Sequence, residues 1–192
     1  QTGAKKKYST DWKDIDRQLK EAYYFGSQLK RKDLLKDRLG PEITGKTDSL
    51  AKAKAVYAFV QKSFKWNEMP DYGSADGIRK ALDAHSGNAA DINLALVAVL
   101  NGANIPAQAV LLSTRENGAI NKLYPTVTDF DYVVARTTIG GKTYLLDATD
   151  PLLSFGMLPM RCLNDQGRVF SLDKPSYWMD MSLPQKEVTT YN

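Results

Sequence analysis

The chain has 192 residues, 43% apolar and 25% charged, with a net charge of +4. At that length folding hides about 70% of the extended surface, so a core needs no disulfides, and the composition excludes a disordered tail, a collagen-like repeat and a disulfide-stapled miniprotein. The best apolar run, Ile92 to Val99, contains Asn93 and falls far short of the ~20 residues that cross a bilayer, so no transmembrane segment is expected.

The charge is unevenly spread. Residues 1–54 carry 14 basic and 8 acidic side chains, and residues 55–192 carry 12 and 14. Signs alternate in the basic third, as in Lys13-Asp14, Asp16-Arg17, Lys32-Asp33 and Lys36-Asp37, which reads as a solvated helix face. No nucleic-acid partner is therefore expected; docking to nucleic acid or anionic lipid would betray itself by an affinity falling steeply with salt. His85 and Cys162 are the only residues of their types, which forbids an intrachain disulfide and leaves no Cys/His metal site. There is no P-loop and no dinucleotide-binding glycine motif, so neither cofactor nor metal is expected. The chain opens at Gln1 with no basic and apolar leader, which reads as a mature form or an excised fragment.

Ser9-Thr10-Asp11 offers a helix cap, and Trp12, Ile15, Leu19 and Ala22 follow at helical spacing. Gly26 interrupts, and Leu29, Leu34, Leu35 and Leu39 lead to a stop at Gly40-Pro41. Thr47-Asp48-Ser49 caps a second helix with Ala53, Val56, Tyr57, Val60 and Phe64 on one face. Phe64-Lys65-Trp66 ends it or starts a short strand; a Gly-, Asp- and Pro-rich loop and a short helix around Ile78 and Leu82 follow.

The Ser86-Gly87-Asn88-Ala89-Ala90-Asp91 segment opens a helix that is apolar nearly all round and stops at Asn101-Gly102. Such a helix belongs in the middle of a domain. Ala107 to Ser113 reads as a buried strand, and Phe130–Ile139 with Lys142–Asp147 as a hairpin about Gly140-Gly141. Arg168-Val169-Phe170 is the last expected strand, and the tail from Lys174 reads as a linker. Helices first, a buried central helix, then antiparallel strands predict an α+β domain with that helix packed on the sheet.

Several side chains are candidates for chemistry. His85, with Ser86 or Cys162, would make a base and nucleophile pair; otherwise His85 is an exposed loop residue and Cys162 a small hydrophobe among apolar neighbours. Asn88 and Asp91 suit a helix cap, and the helix N-terminus there would also attract an anion. Arg115 is placed to clamp a carboxylate or to pair with Glu116 or Asp129. Trp66, Tyr72 and Trp12 are candidates for lining a groove that takes an extended peptide or a sugar.

Four strings carry a family resemblance: Ala55-Val56-Tyr57-Ala58-Phe59-Val60 with Trp66, Ser86 through Leu94, Leu111 through Gly118, and Tyr144 through Asp150. From about Ser49 to Gly167 the chain resembles the transglutaminase-like superfamily, whose fold is papain-like, in the version found in large exported bacterial proteins. The resemblance implies a basic helical flank over residues 1–46, a transglutaminase-like domain over 47–172 and a tail or linker over 173–192. It also implies a periplasmic or secreted location and flanking domains in the same polypeptide. In active members a Cys opens the central helix, a His begins the first hairpin strand and an Asp ends the second. The thiolate is stabilised by the helix N-terminus and the imidazolium, and the Asp orients the ring. Those positions fall here on Ala89, on Phe130 or its neighbour Asp131, and on Asp147. Two of the three roles are then vacant, and Asp147 is a relic or a turn-binding carboxylate. The expectation is a catalytically degenerate binding or structural module for a peptide or cell-envelope ligand, with Asn88, Asp91, Arg115, Asp131, Asp147 and Trp66 as candidate contacts. The alternative is a hydrolase or acyltransferase built on His85.

Overall fold

The computed structural model describes residues 11–182. Helix α1 (Trp12–Glu21) begins where Asp11 accepts a hydrogen bond from the Asp14 N–H, satisfying one orphan donor of the first turn. It is followed by α2 (Gly26–Leu29) and α3 (Lys36–Ile43). The predicted stop at Gly40-Pro41 comes three residues early, because Pro41 is taken inside α3 and the Thr44 N–H closes the end on the Gly40 carbonyl. Helix α4 (Ser49–Ser63) is capped by Asp48 and buries Ala53, Val56, Tyr57 and Val60, as the spacing predicts. The two-residue strand β1 (Lys65–Trp66) pairs in parallel with β2 (Ser86–Gly87), across the loop and α5 (Ile78–Ala84).

Helix α6 (Ala89–Gly102) is the centre of the molecule, with every residue from Ala89 to Leu100 buried. It lies against α2, α4 and α5 on one side and against strands β3 (Ala107–Leu112) and β4 (Tyr132–Ile139) on the other. Those two strands, with β5 (Lys142–Leu146), β6 (Gln166–Phe170) and β7 (Tyr177–Asp180), form one antiparallel sheet in the order β5-β4-β3-β6-β7. Its centre is fixed by Val110, which pairs with Val134 on one side and Val169 on the other. The side-chain alternation of the strands divides the apolar interior. Ala109, Leu111, Val133, Ala135 and Phe170 join α6 and the N-terminal helices, while Val110, Leu112, Tyr132, Val134 and Val169 form a second cluster. Among the described residues no helix is long and apolar enough to cross a membrane.

The helices of the expected flank share the domain's core: Ile15, Leu19, Phe25, Leu29, Leu34, Leu35 and Leu39 belong to the same cluster as α6. Backbone contact there is close enough to demand glycine. A Cβ at Gly26 would lie 2.1 Å from the Lys20 carbonyl oxygen, and one at Gly102 would lie 2.0 Å from that of Lys32. Buried Arg168 on β6 holds both carboxylate oxygens of Asp16 at 2.8 Å and stacks against Trp12 and Trp178, tying α1 to the sheet. At the other end, residues 177–180 are the edge strand β7 rather than a linker, since Trp178 closes on Trp12 edge-on at 4.8 Å. The remainder of the predicted tail, from 183 on, and the first cap residues Ser9 and Thr10 lie outside the described residues.

Candidate active-site cleft

Ala89 is the first residue of α6, and its side chain is fully buried with Tyr132, Leu112 and Cys162 in the second cluster. Its N–H donates to the Met69 carbonyl at 3.1 Å, so that donor of the helix terminus is already engaged. One turn further along the same face stands Asn93, which is buried and fully committed. Its amide donates to the Val133 carbonyl at 2.9 Å and to Asp147 Oδ1 at 3.0 Å, and its Oδ1 accepts the Ala148 N–H at 2.9 Å.

Asp147, just after β5, is completely buried. Besides Asn93, its Oδ1 accepts the Thr149 N–H at 3.1 Å, and its Oδ2 accepts the Tyr132 hydroxyl at 2.7 Å. Burial and then the Asp147 charge push the Tyr132 phenol well above its usual pKa, so it stays a proton donor. Arg161 completes the group. Its Nη2 donates to the Tyr132 hydroxyl and to Thr149 Oγ1, both at 3.2 Å, and lies 3.7 Å from Asp147 Oδ2. The guanidinium carbon is 4.6 Å from the Trp66 ring centre and 5.4 Å from that of Tyr132, within cation–π range of both. A cleft of about 510 Å³ opens on this group, lined by Arg161, Trp66, Thr149, Gln61, Pro151 and Lys65 among others.

The residue that meets Asp147 is therefore Tyr132, where the sequence pointed to Phe130 or Asp131. Phe130 lies in the first cluster, 6.0 Å from Trp12 and 6.3 Å from Trp178 by ring centres. Asp131 binds the Thr114 N–H and hydroxyl at 2.7 and 2.6 Å, holding the turn after β3. One or two residues of register separate the expectation from the contact. Extending the Ala135↔Leu146 pairing along the hairpin sets Tyr132 opposite Thr149, a count the Gly140-Gly141 turn already permitted. Asn93, Thr149 and Arg161 were also missed. Asn93 had a signal, being an amide inside an otherwise apolar helix; Arg161, remote in sequence, had none.

The other candidates are dispersed. Asn88 and Asp91 form a reciprocal capping box, with Asp91 Oδ2 accepting the Asn88 N–H and Asn88 Oδ1 accepting that of Asp91. Asn88 also donates to the Gly73 carbonyl, and Ser74 Oγ donates to Asp91 Oδ1, so both side chains are spent on tying the 67–77 loop to α6. Arg115 is exposed and donates to the Leu163 carbonyl at 2.8 Å, with no carboxylate partner among the described residues. Trp66 alone of the predicted aromatics lines the cleft, its indole N–H donating to the Met69 carbonyl; Tyr72 packs edge-on with Tyr24 and Trp12 with Trp178. His85 caps α5 in the left-handed region, exposed, with Nδ1 3.3 Å from the Ser63 carbonyl. It borders a separate cavity with Arg38, Phe59 and Lys62. Ser86 is exposed on β2, whereas Cys162 is sealed beside Ala89, so the imidazole and thiol do not meet. Burial, then the Asp147 charge, raises the Cys162 pKa far above that of a free thiol. Among the described residues no group of three His, Cys, Asp or Glu side chains is placed to hold a metal.

Burial lifts the Asp91 carboxyl above its ordinary pKa of 3.8, against the opposing pull of Ser74 and Asn88. The folded state then holds this proton at pH values where the unfolded chain has released it. The associated stability is full below about pH 4 and is lost as pH rises through the raised folded value. Asp91→Asn is expected to flatten that fall in denaturant titrations taken between pH 3 and 7. An unchanged slope would assign the pH dependence to another group.

The sequence profile of the transglutaminase-like superfamily matches residues 37–142, more than half of the chain. No curated protein matches it. Among solved structures, a candidate protease from Parabacteroides distasonis superposes with a TM-score of 0.56 at 18% identity, covering 88% of this chain and 30% of that one. A candidate cysteine protease from Cytophaga hutchinsonii gives 0.47 at 14% identity, covering 80% and 50%. A structure named as a TGase gives 0.45 at 12% identity, covering 74% and 37%. The chain thus spans less than a third of the length of the Parabacteroides protein, and the likeness is one of fold.

Proposed function

We propose, from the premise that this chain belongs to the transglutaminase-like superfamily, that the domain has lost the family's chemistry and binds an extended peptide in the cleft beside α6. One observation carries this reading. The α6 N-terminus presents buried Ala89, and the carboxylate that would orient a base is closed by a tyrosine hydroxyl and an amide. Alanine offers no nucleophile, and a phenol held protonated by burial takes up no proton at neutral pH. The cleft itself persists, with an aromatic wall, a cation and free space of ligand size. In this reading the relic positions are Ala89, Tyr132 and Asp147, and the domain serves inside a longer exported polypeptide. The Parabacteroides protein, of which this chain covers 30%, shows the same fold set within a longer polypeptide.

The test is an amide-hydrolysis and acyl-transfer assay beside a peptide-binding titration followed by the Trp66 indole signal. Binding without turnover is the expected result. Turnover abolished by His85→Ala would overturn the reading in favour of an enzyme built on that residue. Thiol labelling gives a second check. Iodoacetamide should modify buried Cys162 in the folded protein no faster than global unfolding exposes it, and rapidly in denaturant. Fast labelling of the native protein would place a reactive thiol in the site.

A further inference from the structure

The guanidinium of Arg161 is unusual in how its charge is matched. Its two hydrogen bonds go to neutral hydroxyls, those of Tyr132 and Thr149, and both leave from Nη2. The nearest carboxylate oxygen, on Asp147, is 3.7 Å away, outside hydrogen-bond distance. Nε is sealed from solvent without a partner, and the structure gives Nη1 none either. Among the described residues three of five N–H groups are therefore unused, and with Nε sealed the two on Nη1 are the ones left for a ligand, on a side chain that is one-third exposed and forms part of the cleft wall. Trp66 and Tyr132 hold the plane of the group, so a ligand meets a guanidinium that is already oriented.

We propose that Arg161 is the anchor for a single carboxylate of a bound peptide, the free C-terminal one; this rests on the peptide-binding reading above. A carboxylate is the strongest partner for unused guanidinium N–H groups. The wall carries no surplus of positive charge, because Glu68 and Asp150 stand on it with Arg161 and Lys65 and buried Asp147 lies behind. That disfavours a phosphate dianion. The rest of the peptide meets apolar surface. Phe64, Trp66 and Pro151 line the cleft beside Arg161. A peptide with apolar residues ahead of its C-terminus fits both halves of the surface.

The experiment uses the full chain and one apolar hexapeptide in three forms: free acid, C-terminal amide, and amide with one internal Glu. Binding is read from the Trp66 indole resonance, assigned with Trp66→Phe. The free acid should bind at least about tenfold more tightly than the amide, and Arg161→Gln should erase that difference while Arg161→Lys keeps part of it. Equal affinity of acid and amide for the unmodified protein overturns the carboxylate anchor and leaves peptide binding standing. The internal-Glu amide matching the free acid overturns the choice of the C-terminus. Inorganic phosphate displacing the free acid at equal concentration overturns the single-charge argument. No binding by any form overturns the proposal together with the reading beneath it.

Discussion

Leu96→Ala is expected to lower the unfolding free energy by about 2–5 kcal/mol, through lost transfer energy and the cavity left behind. Leu96 is fully buried in the middle of α6, where helices close one side of the helix and the sheet the other, so little can collapse into the vacated space. For a chain of this size that loss corresponds to a melting-temperature drop on the order of 10 °C. Lys80→Ala provides the contrast: its ion pair with Asp76 is an exposed i,i+4 pair, worth well under 1 kcal/mol. Chemical denaturation of both variants beside the unmodified chain checks the difference. A Leu96→Ala cost below about 1 kcal/mol would mean that α6 is not the element around which the core is built.

The centrality of α6 was legible because its signal is local. Ala89 to Leu100 holds only two polar residues, Asp91 and Asn93, and the Gly-Asn start and Asn-Gly stop mark its ends. The same holds for α1, α4 and the β4–β5 hairpin, each carried by a period of 3.6 or 2 between clear caps and turns. What failed depended on contacts distant in sequence. Nothing in Trp12–Glu21 announces that Asp16 meets Arg168, 152 residues away, so the N-terminal helices read as a flank. Likewise β7 is short, with a polar approach, and is a strand because Gln166–Val169 supply a partner edge.

The candidate site divides along the same line. Ala89 and Asp147 sit at element boundaries, which local strings mark. The third position needed a register, and the predicted strand began two residues early because Phe130 looks as strand-like as Tyr132. The helical turn Val127–Asp129 consumes the chain before the strand starts, turning Phe130 toward Trp12 and delivering Tyr132 to Asp147. Arg161 arrives from a loop, through a short helical turn at Met160–Cys162 that no periodicity marks.

That register makes the restoration of chemistry a sharp test. Ala89→Cys alone places a thiol at the positive end of α6, where the helix terminus opposes the burial that raises neighbouring Cys162, yet leaves nothing to protonate a leaving group. Tyr132→His alone supplies a proton carrier next to Asp147 but no nucleophile. The double variant should exceed the product of the two separate effects, because the groups act as one unit. A positioned acid–base group contributes roughly 10²–10⁴-fold, and the low end is expected here. Imidazole is shorter than phenol, while Asn93 and Thr149 hold Asp147 Oδ1 and resist its following the ring. The Arg161 charge also favours neutral imidazole, which can accept the thiol proton but weakens the ion pair. Ala89→Cys with Phe130→His is the control: a histidine at 130 lands between Trp12 and Trp178, away from Asp147, and should add nothing. Amide hydrolysis measured across the four variants decides it. A gain from the 130 pair equal to that from the 132 pair would dissolve the assignment of Tyr132 to the vacant base position.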